Sequence, residues 1–423
     1  MSSTKQMTKR ILILICSALL FLSLSGCKDI DSYEDVFTTP TLEPAETSPP
    51  PADNTTPDDN TAPDDNTHPD NNMTPDPKPS VITLPVTSPD EIPLSYSVQY
   101  LFDAVLPASA FVDIGDRLLF IHVDNVGSSS GGAIWNLYEY DKATGRVELF
   151  CKDATCFHTE QSCVAYRIHG NLQLSDGNVY ASRSTLDFNG FTPVRMDNNR
   201  FIDLPVAGEI GTFQYSDEVM YAFTEGGSFV RFHNDYSSPD IIMEGLYALV
   251  HMITDGYLYH TRAGVDDQGY VLYRYNLSDE FTSIEVLAED VNIFFFSDTN
   301  HLYYQYTRSP NQTHRRNLDG SNAEMLPAFN AVRLAFDEDF IYYVQFDWTD
   351  ADAKGNGEIY RLNKDLSLQP ELIHEGFSSA VRIYPIFGAD YLFISQRDGD
   401  VQGHDRFYFM KKDGTDLTEI ILP

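Results

Sequence analysis

The chain has 423 residues, with 63 Asp and Glu against 28 Lys and Arg, for a formal net charge of −35. A nucleic-acid duplex or an anionic lipid surface would repel it, which excludes a nucleic-acid binder. Partners are expected to be cationic, neutral or bridged by a metal ion.

Residues 1–26 read as a targeting segment rather than as structure. Lys5, Lys9 and Arg10 form a positive start, and Ile11 to Leu22 is an apolar run too short for a spanning helix. Leu24-Ser25-Gly26-Cys27 follows and matches a bacterial lipobox, in which the cysteine is lipidated and becomes the first mature residue. Cys27 is therefore the expected lipid attachment, and the expected location is the outer side of the bacterial cell membrane. Removing the three basic residues takes the net charge from −35 to −38.

Residues 27–96 are rich in Pro, Thr, Asp and Asn, and hold too few apolar side chains for burial to offset the entropy of ordering. Pro57-Asp58-Asp59-Asn60, Pro63-Asp64-Asp65-Asn66 and Pro69-Asp70-Asn71-Asn72 recur every six residues. Calcium-binding repeats use glycine for their sharp turns, and these lack it, so the segment is read as a solvated acidic stalk. A flexible coil of roughly 70 residues spans about 45 Å, and a proline-stiffened one exceeds about 100 Å.

Residues 97–423 are read as one domain, and from about residue 108 a unit recurs to the end of the chain. In Asp255-Gly256-Tyr257-Leu258-Tyr259 a tight turn opens an aromatic strand, and Leu272 to Leu277 and Ile284 to Leu287 supply two more strands. Aligned on the residue after the turn, the anchors are Phe120, Tyr180, Tyr221, Tyr259, Tyr303, Tyr342 and Phe393. Their spacings are 60, 41, 38, 44, 39 and 51 residues. Periods near forty that hold several short strands predict an all-β fold, a β-propeller. Seven anchors predict seven blades, and the length also suits six or eight. The Asp, Asn and Gly residues before the anchors suit tight hairpins. The tyrosines and phenylalanines are read as strand residues that pack sheet on sheet.

The run Leu302-Tyr303-Tyr304, followed by Arg315-Arg316-Asn317-Leu318-Asp319-Gly320-Ser321-Asn322, resembles the repeat of TolB-like propellers. It resembles still more closely the uncharacterised propeller lipoproteins of clostridia and their relatives. The resemblance covers residues 97–423 and implies a propeller domain on a lipid-anchored chain. Its motifs specify fold and say little about chemistry.

Catalytic motifs are sparse. Gly127-Ser128-Ser129-Ser130-Gly131 matches a nucleophile-elbow pattern by letter, but it lies between two strands rather than between a strand and a helix, so it reads as a loop. Three acidic loops join second and third strands: Asp266 and Asp267, Asp350 and Asp352, and Asp398 and Asp400. In a propeller such loops share the face of the blade-to-blade connections, so these acids are expected on one rim. In the last two the Asp-x-Asp-x-x-Gly pattern resembles the start of a calcium loop. The misplaced distal Glu makes calcium the weaker expectation and solvated hairpin tips the stronger.

Cys151, Cys156, His158 and Cys163 form the sharpest local signal, Cys-x4-Cys-x-His-x4-Cys. Three thiols cannot all pair within one chain. Either one disulfide leaves a thiol over, or the four residues hold a structural metal ion, with zinc expected. A similar insertion is part of the resemblance to the clostridial lipoproteins. Four protein ligands leave no open position, so both readings are structural.

The chain is thus expected to be a non-catalytic surface propeller that binds or scaffolds a protein or glycan on one face. Two alternatives stand beside this: a carboxylate-dependent glycan hydrolase or lyase, and a sensor domain of a membrane complex.

Overall fold

The computed structural model describes residues 81–92, 110–124, 134–153, 156, 162–184, 191–206, 210–216, 219–224, 227–233, 236, 238–244, 250–264, 269–278, 282–298, 300–327, 334–345, 357–377, 381–397 and 405–423. The lipobox, most of the stalk, the Gly127–Gly131 run, His158 and the six acidic-loop aspartates lie outside these residues. No helix of the described residues is long and apolar enough to cross a membrane.

Among the described residues, 27 antiparallel strands form five hydrogen-bonded sheets. Register divides them into seven consecutive four-stranded units, covering 111–149, 168–203, 210–243, 250–288, 291–325, 334–377 and 381–420. Units 2 and 3 are joined by the Phe191–Ile210 pair. Units 4 and 5 share one long strand, Ile284–Ser297, whose first half pairs with Tyr270–Asn276 and whose second half pairs with His301–Tyr306. Asp290, at φ 57°, lies between the two halves. The fold is a β-propeller, in which the first strand of each unit lies innermost and the fourth outermost.

Burial follows that layering. Second strands are covered by a neighbouring unit on each face, and Leu302-Tyr303-Tyr304-Gln305 is buried at every position. Fourth strands lie at the rim, and Glu371–Phe377 buries only its third and last residues. Tyr259, Tyr303 and Tyr342 are fully buried between sheets, as the repeat predicts.

The apolar core is divided into seven clusters, one for each pair of neighbouring units, with the last against the first. The ring therefore closes. At the closing seam Phe111 stacks on Phe393 at 4.6 Å, and Phe120 meets Phe407 at 4.8 Å.

Polar side chains link the units as well. Gln173 accepts from Tyr215 N at 3.1 Å, joining units 2 and 3. Gln214 donates to Ile253 O at 2.6 Å and accepts from Ile253 N at 2.7 Å, joining units 3 and 4. From unit 4 onward an arginine of the third strand reaches the carbonyl just past the next unit's third strand. Arg274 donates to Leu318 O at 2.6 Å, Arg315 donates to Lys364 O, and Arg361 donates to Lys412 O at 3.0 Å. Each arginine also pairs with a glutamate of its own outer strand: Glu285, Glu324 or Glu371.

One correction concerns the stalk. Residues 81–92 belong to the compact unit 81–423 and lie on the sheets, although their composition resembles the stalk. Leu84 is buried in the seam between units 1 and 7, and Ile92 is buried between units 1 and 2. Composition averaged over 70 residues hides the apolar alternation of Val81-Ile82-Thr83-Leu84.

Candidate metal centre

The thiol cluster is built from the chain that leaves unit 1 and enters unit 2. The outer strand of unit 1, Arg146–Leu149, ends at Phe150, whose amide donates to Leu137 O at 2.9 Å. Cys151 therefore leaves the sheet at a fixed point. Cys156 closes a short turn, with its amide donating to Asp153 O at 3.1 Å. Cys163 opens two further turns, Tyr166 N to Cys163 O and Ile168 N to Ala165 O, each at 3.3 Å. The next residue, Val164, accepts from Phe201 N at 3.1 Å, and Phe201 lies on the outer strand of unit 2.

The three sulfurs lie within 4.8 Å of one another. Cys151 and Cys163 are buried, Cys156 is partly buried, and none of the three is in a disulfide. Four ligands around zinc at about 2.3 Å place sulfurs about 3.8 Å apart, so the cluster needs only a small contraction to hold such an ion. The Ala165 amide donates to Cys163 Sγ at 3.3 Å, a bond that favours a thiolate.

Burial works against that bond. Burial, with smaller contributions from the adjacent Cys156 and Cys151, pushes the Cys163 thiol up to about 12 against the Ala165 amide. An ion bound at Cys163 would have to displace a proton that burial holds there. The residues fit a soft or borderline divalent ion, and a cluster of three cysteines could hold one. His158, which would complete the set, lies outside the described residues.

Arg183 secures the same loop to unit 2. It donates from Nε to Tyr166 O and from Nη2 to Phe201 O, both at 2.9 Å, and pairs with Asp203. Its guanidinium lies 5.1 Å from the Tyr166 ring centre. Arg117 of unit 1 donates to Asn199 of unit 2 at 2.7 Å. The cluster therefore stands where unit 1 hands over to unit 2.

The three acidic loops are held between described strands. Residues 264–269 run between Tyr257–Ala263 and Tyr270–Asn276. The other two run between Phe340–Gln345 and Gly357–Asn363, and between Tyr391–Arg397 and Asp405–Lys411. These are second-to-third connections, as the sequence predicts.

Sequence reasoning missed how the turn acids are engaged. Asp298 and Asp337 are buried at tight turns between first and second strands. Each accepts from two turn amides and from a tyrosine hydroxyl at 2.8 Å, Tyr303 and Tyr342 respectively. Each also pairs with a lysine of the next unit: Lys364 at 3.3 Å and Lys412 at 2.8 Å. Burial alone would push the Asp298 carboxyl up. Bonds from His301, the Asn300 amide and Tyr303, with the Lys364 ammonium, outweigh that and hold it well below the usual carboxylate range. The Asp-Thr-Asn and Asp-Glu-Asp turns carried the signal, but nothing in sequence joins them to lysines 66 and 75 residues away.

No family model matches the chain, and no curated protein matches it. Solved structures that resemble it include a β-propeller domain. The β-propeller domain of the Trilobed protease from Pyrococcus furiosus is 9% identical with a TM-score of 0.46, covering 76% of this chain and 95% of that one. An oligogalacturonate lyase in complex with manganese is 11% identical with a TM-score of 0.43, covering 57% and 73%. PorZ, a surface component of the type-IX secretion system of Porphyromonas gingivalis, is 13% identical with a TM-score of 0.41. This chain spans 40% of PorZ, and 75% of this chain is matched. These likenesses concern fold, and the neighbours include enzymes and a surface component alike.

Proposed function

We propose that this chain is a lipid-anchored, extracytoplasmic propeller that binds or scaffolds a protein or glycan partner without catalysis. Cys27 carries the lipid in this reading, and the acidic stalk holds the ring away from the membrane. The observation that carries the non-catalytic reading is where the charged repeat residues go. Arg274, Arg315, Arg361, Asp298, Asp337, Lys364 and Lys412 bond one unit to the next. The thiol cluster serves the same end, with zinc held by Cys151, Cys156, His158 and Cys163 as a structural ion. The partner then meets the face that bears the second-to-third loops, where Asp266, Asp267, Asp350, Asp352, Asp398 and Asp400 supply negative charge.

The test uses the mature chain on a glycan array and against a lysine-rich peptide. Saturable binding that is lost when all six aspartates become asparagine, at an unchanged melting temperature, supports the reading. Depolymerisation of an arrayed glycan would replace it with the hydrolase or lyase alternative. For the anchor, Cys27→Ser is expected to release the protein from the membrane fraction or to block its maturation. Unchanged detergent-phase partitioning would remove that part of the reading.

A further inference from the structure

The seam between units 7 and 1 differs from the three that precede it. Unit 1 is built from its own four consecutive strands, and so is unit 7, so among the described residues no strand is exchanged to lock the ring. The arginine that spans the seams from unit 4 to unit 7 is also missing. Arg274, Arg315 and Arg361 stand in register with Tyr259, Tyr303 and Tyr342. At the matching position of unit 7, Phe409 stands opposite Phe393.

The carbonyl such an arginine would reach is present. Lys142 is the first residue past the third strand of unit 1, as Leu318, Lys364 and Lys412 are in theirs. Its carbonyl accepts from Leu84 N at 2.8 Å. A backbone amide of the N-terminal segment thus does for this seam what a guanidinium does for three others. The Lys142 side chain is itself fully buried and pairs with Asp113 at 2.7 Å.

Residues 81–92 fit a prepared track. Leu84 enters the aromatic cluster of Phe111, Phe120, Phe393 and Phe407. Thr87 N donates to Gly115 O at 3.1 Å, and Tyr140 donates to Ile82 O. A Cβ at Gly115 would strike Thr87 O, and one at Gly145 would strike Val81 and Ile82. Both glycines also hold positive φ, so their turns need glycine on two counts. The segment then passes the Gly388 turn of unit 7 and the Gly177 turn of unit 2, with Thr87 and Asp90 as the nearest groups.

We propose that residues 81–92 are the clasp of the ring: an extended strap that closes the 7–1 seam in place of strand exchange and of the missing arginine. It acts at the 7–1 seam, with Ile92 reaching the adjacent 1–2 seam, rather than stabilising the molecule evenly.

Hydrogen–deuterium exchange on the full chain tests this. Leu84→Asp places a charge in the aromatic cluster and should lift the strap. Amides of residues 111–149 and 381–420 are then expected to exchange at least tenfold faster, while those of 250–377 keep their native rates. Thr87→Pro removes one strap amide and is milder, so the test stays readable if the charged variant folds poorly. It should give a smaller change with the same distribution. A uniform acceleration in all units, or unchanged rates at the 7–1 seam, would overturn the proposal.

Discussion

His260 shows how a single side chain reports on the ring. It is fully buried, stacked on Tyr273 at 5.4 Å and beside Tyr275 at 5.0 Å. Burial holds its imidazole down at about 4. Unfolded, the ring takes a proton near pH 6.5; folded, it does so only near 4. Between these values the unfolded chain binds the extra proton, so stability is full above about pH 6.5 and falls as pH drops towards 4. The loss reaches about 3 kcal/mol at the lower end. Urea midpoints measured from pH 7.5 to 4.5 should decline for the native chain and decline less for His260→Leu. Equal slopes would contradict the assignment. His169, set between Trp135 and Phe191 and also held near 4 by burial, contributes in the same window. Neither histidine was legible in the sequence, because a lone His on a strand carries no sign of what covers it. The cysteines were legible, because three thiols and a histidine in thirteen residues point to one place at any fold.

At the scale of the element, the seams between units carry the predictions. Asp298 is 1% exposed on its side chain, and Lys364 of the next unit is its nearest full positive charge. Lys364→Met removes that charge and leaves the carboxylate with neutral donors. The expected cost is about 3 kcal/mol. The Asp298 carboxyl, now held below its ordinary range, should rise, so acid unfolding should begin at higher pH in the variant. A denaturation series at pH 7 and pH 3 checks both, and an unchanged midpoint at pH 7 would contradict the pairing. The strand pattern was legible here, because second strands covered on both faces read as continuous apolar and aromatic runs. The clamps were not, because an arginine on one unit and a carbonyl 44 or more residues later leave no local signature.

For the molecule as a whole, the N-terminal boundary matters. A chain that begins at residue 81 keeps the strap and should melt with the full mature chain. A chain that begins at residue 93 loses the Leu84 and Ile92 contacts and should melt a few degrees lower, since about 1 kcal/mol moves a domain of this size by roughly 1–2 °C. Equal melting of the two chains would show that the strap adds nothing. The period of the repeat made the propeller legible, and the seven anchors fall one in each of the seven units. Ring closure was not legible, because the strap lies inside a stretch whose average composition is that of a solvated stalk.

Charged side chains link the units of this ring, and the proposal that the thiol cluster links units 1 and 2 through a metal ion is the part most directly tested. The measurement is metal analysis and thiol counting on one sample of the purified mature chain, before and after chelation under denaturing conditions. The expected result is one equivalent of zinc and, once it is removed, three reactive thiols from Cys151, Cys156 and Cys163 beside any at Cys27. No metal and a single reactive thiol from the cluster would contradict the claim, and the seam between units 1 and 2 would then be held by a disulfide.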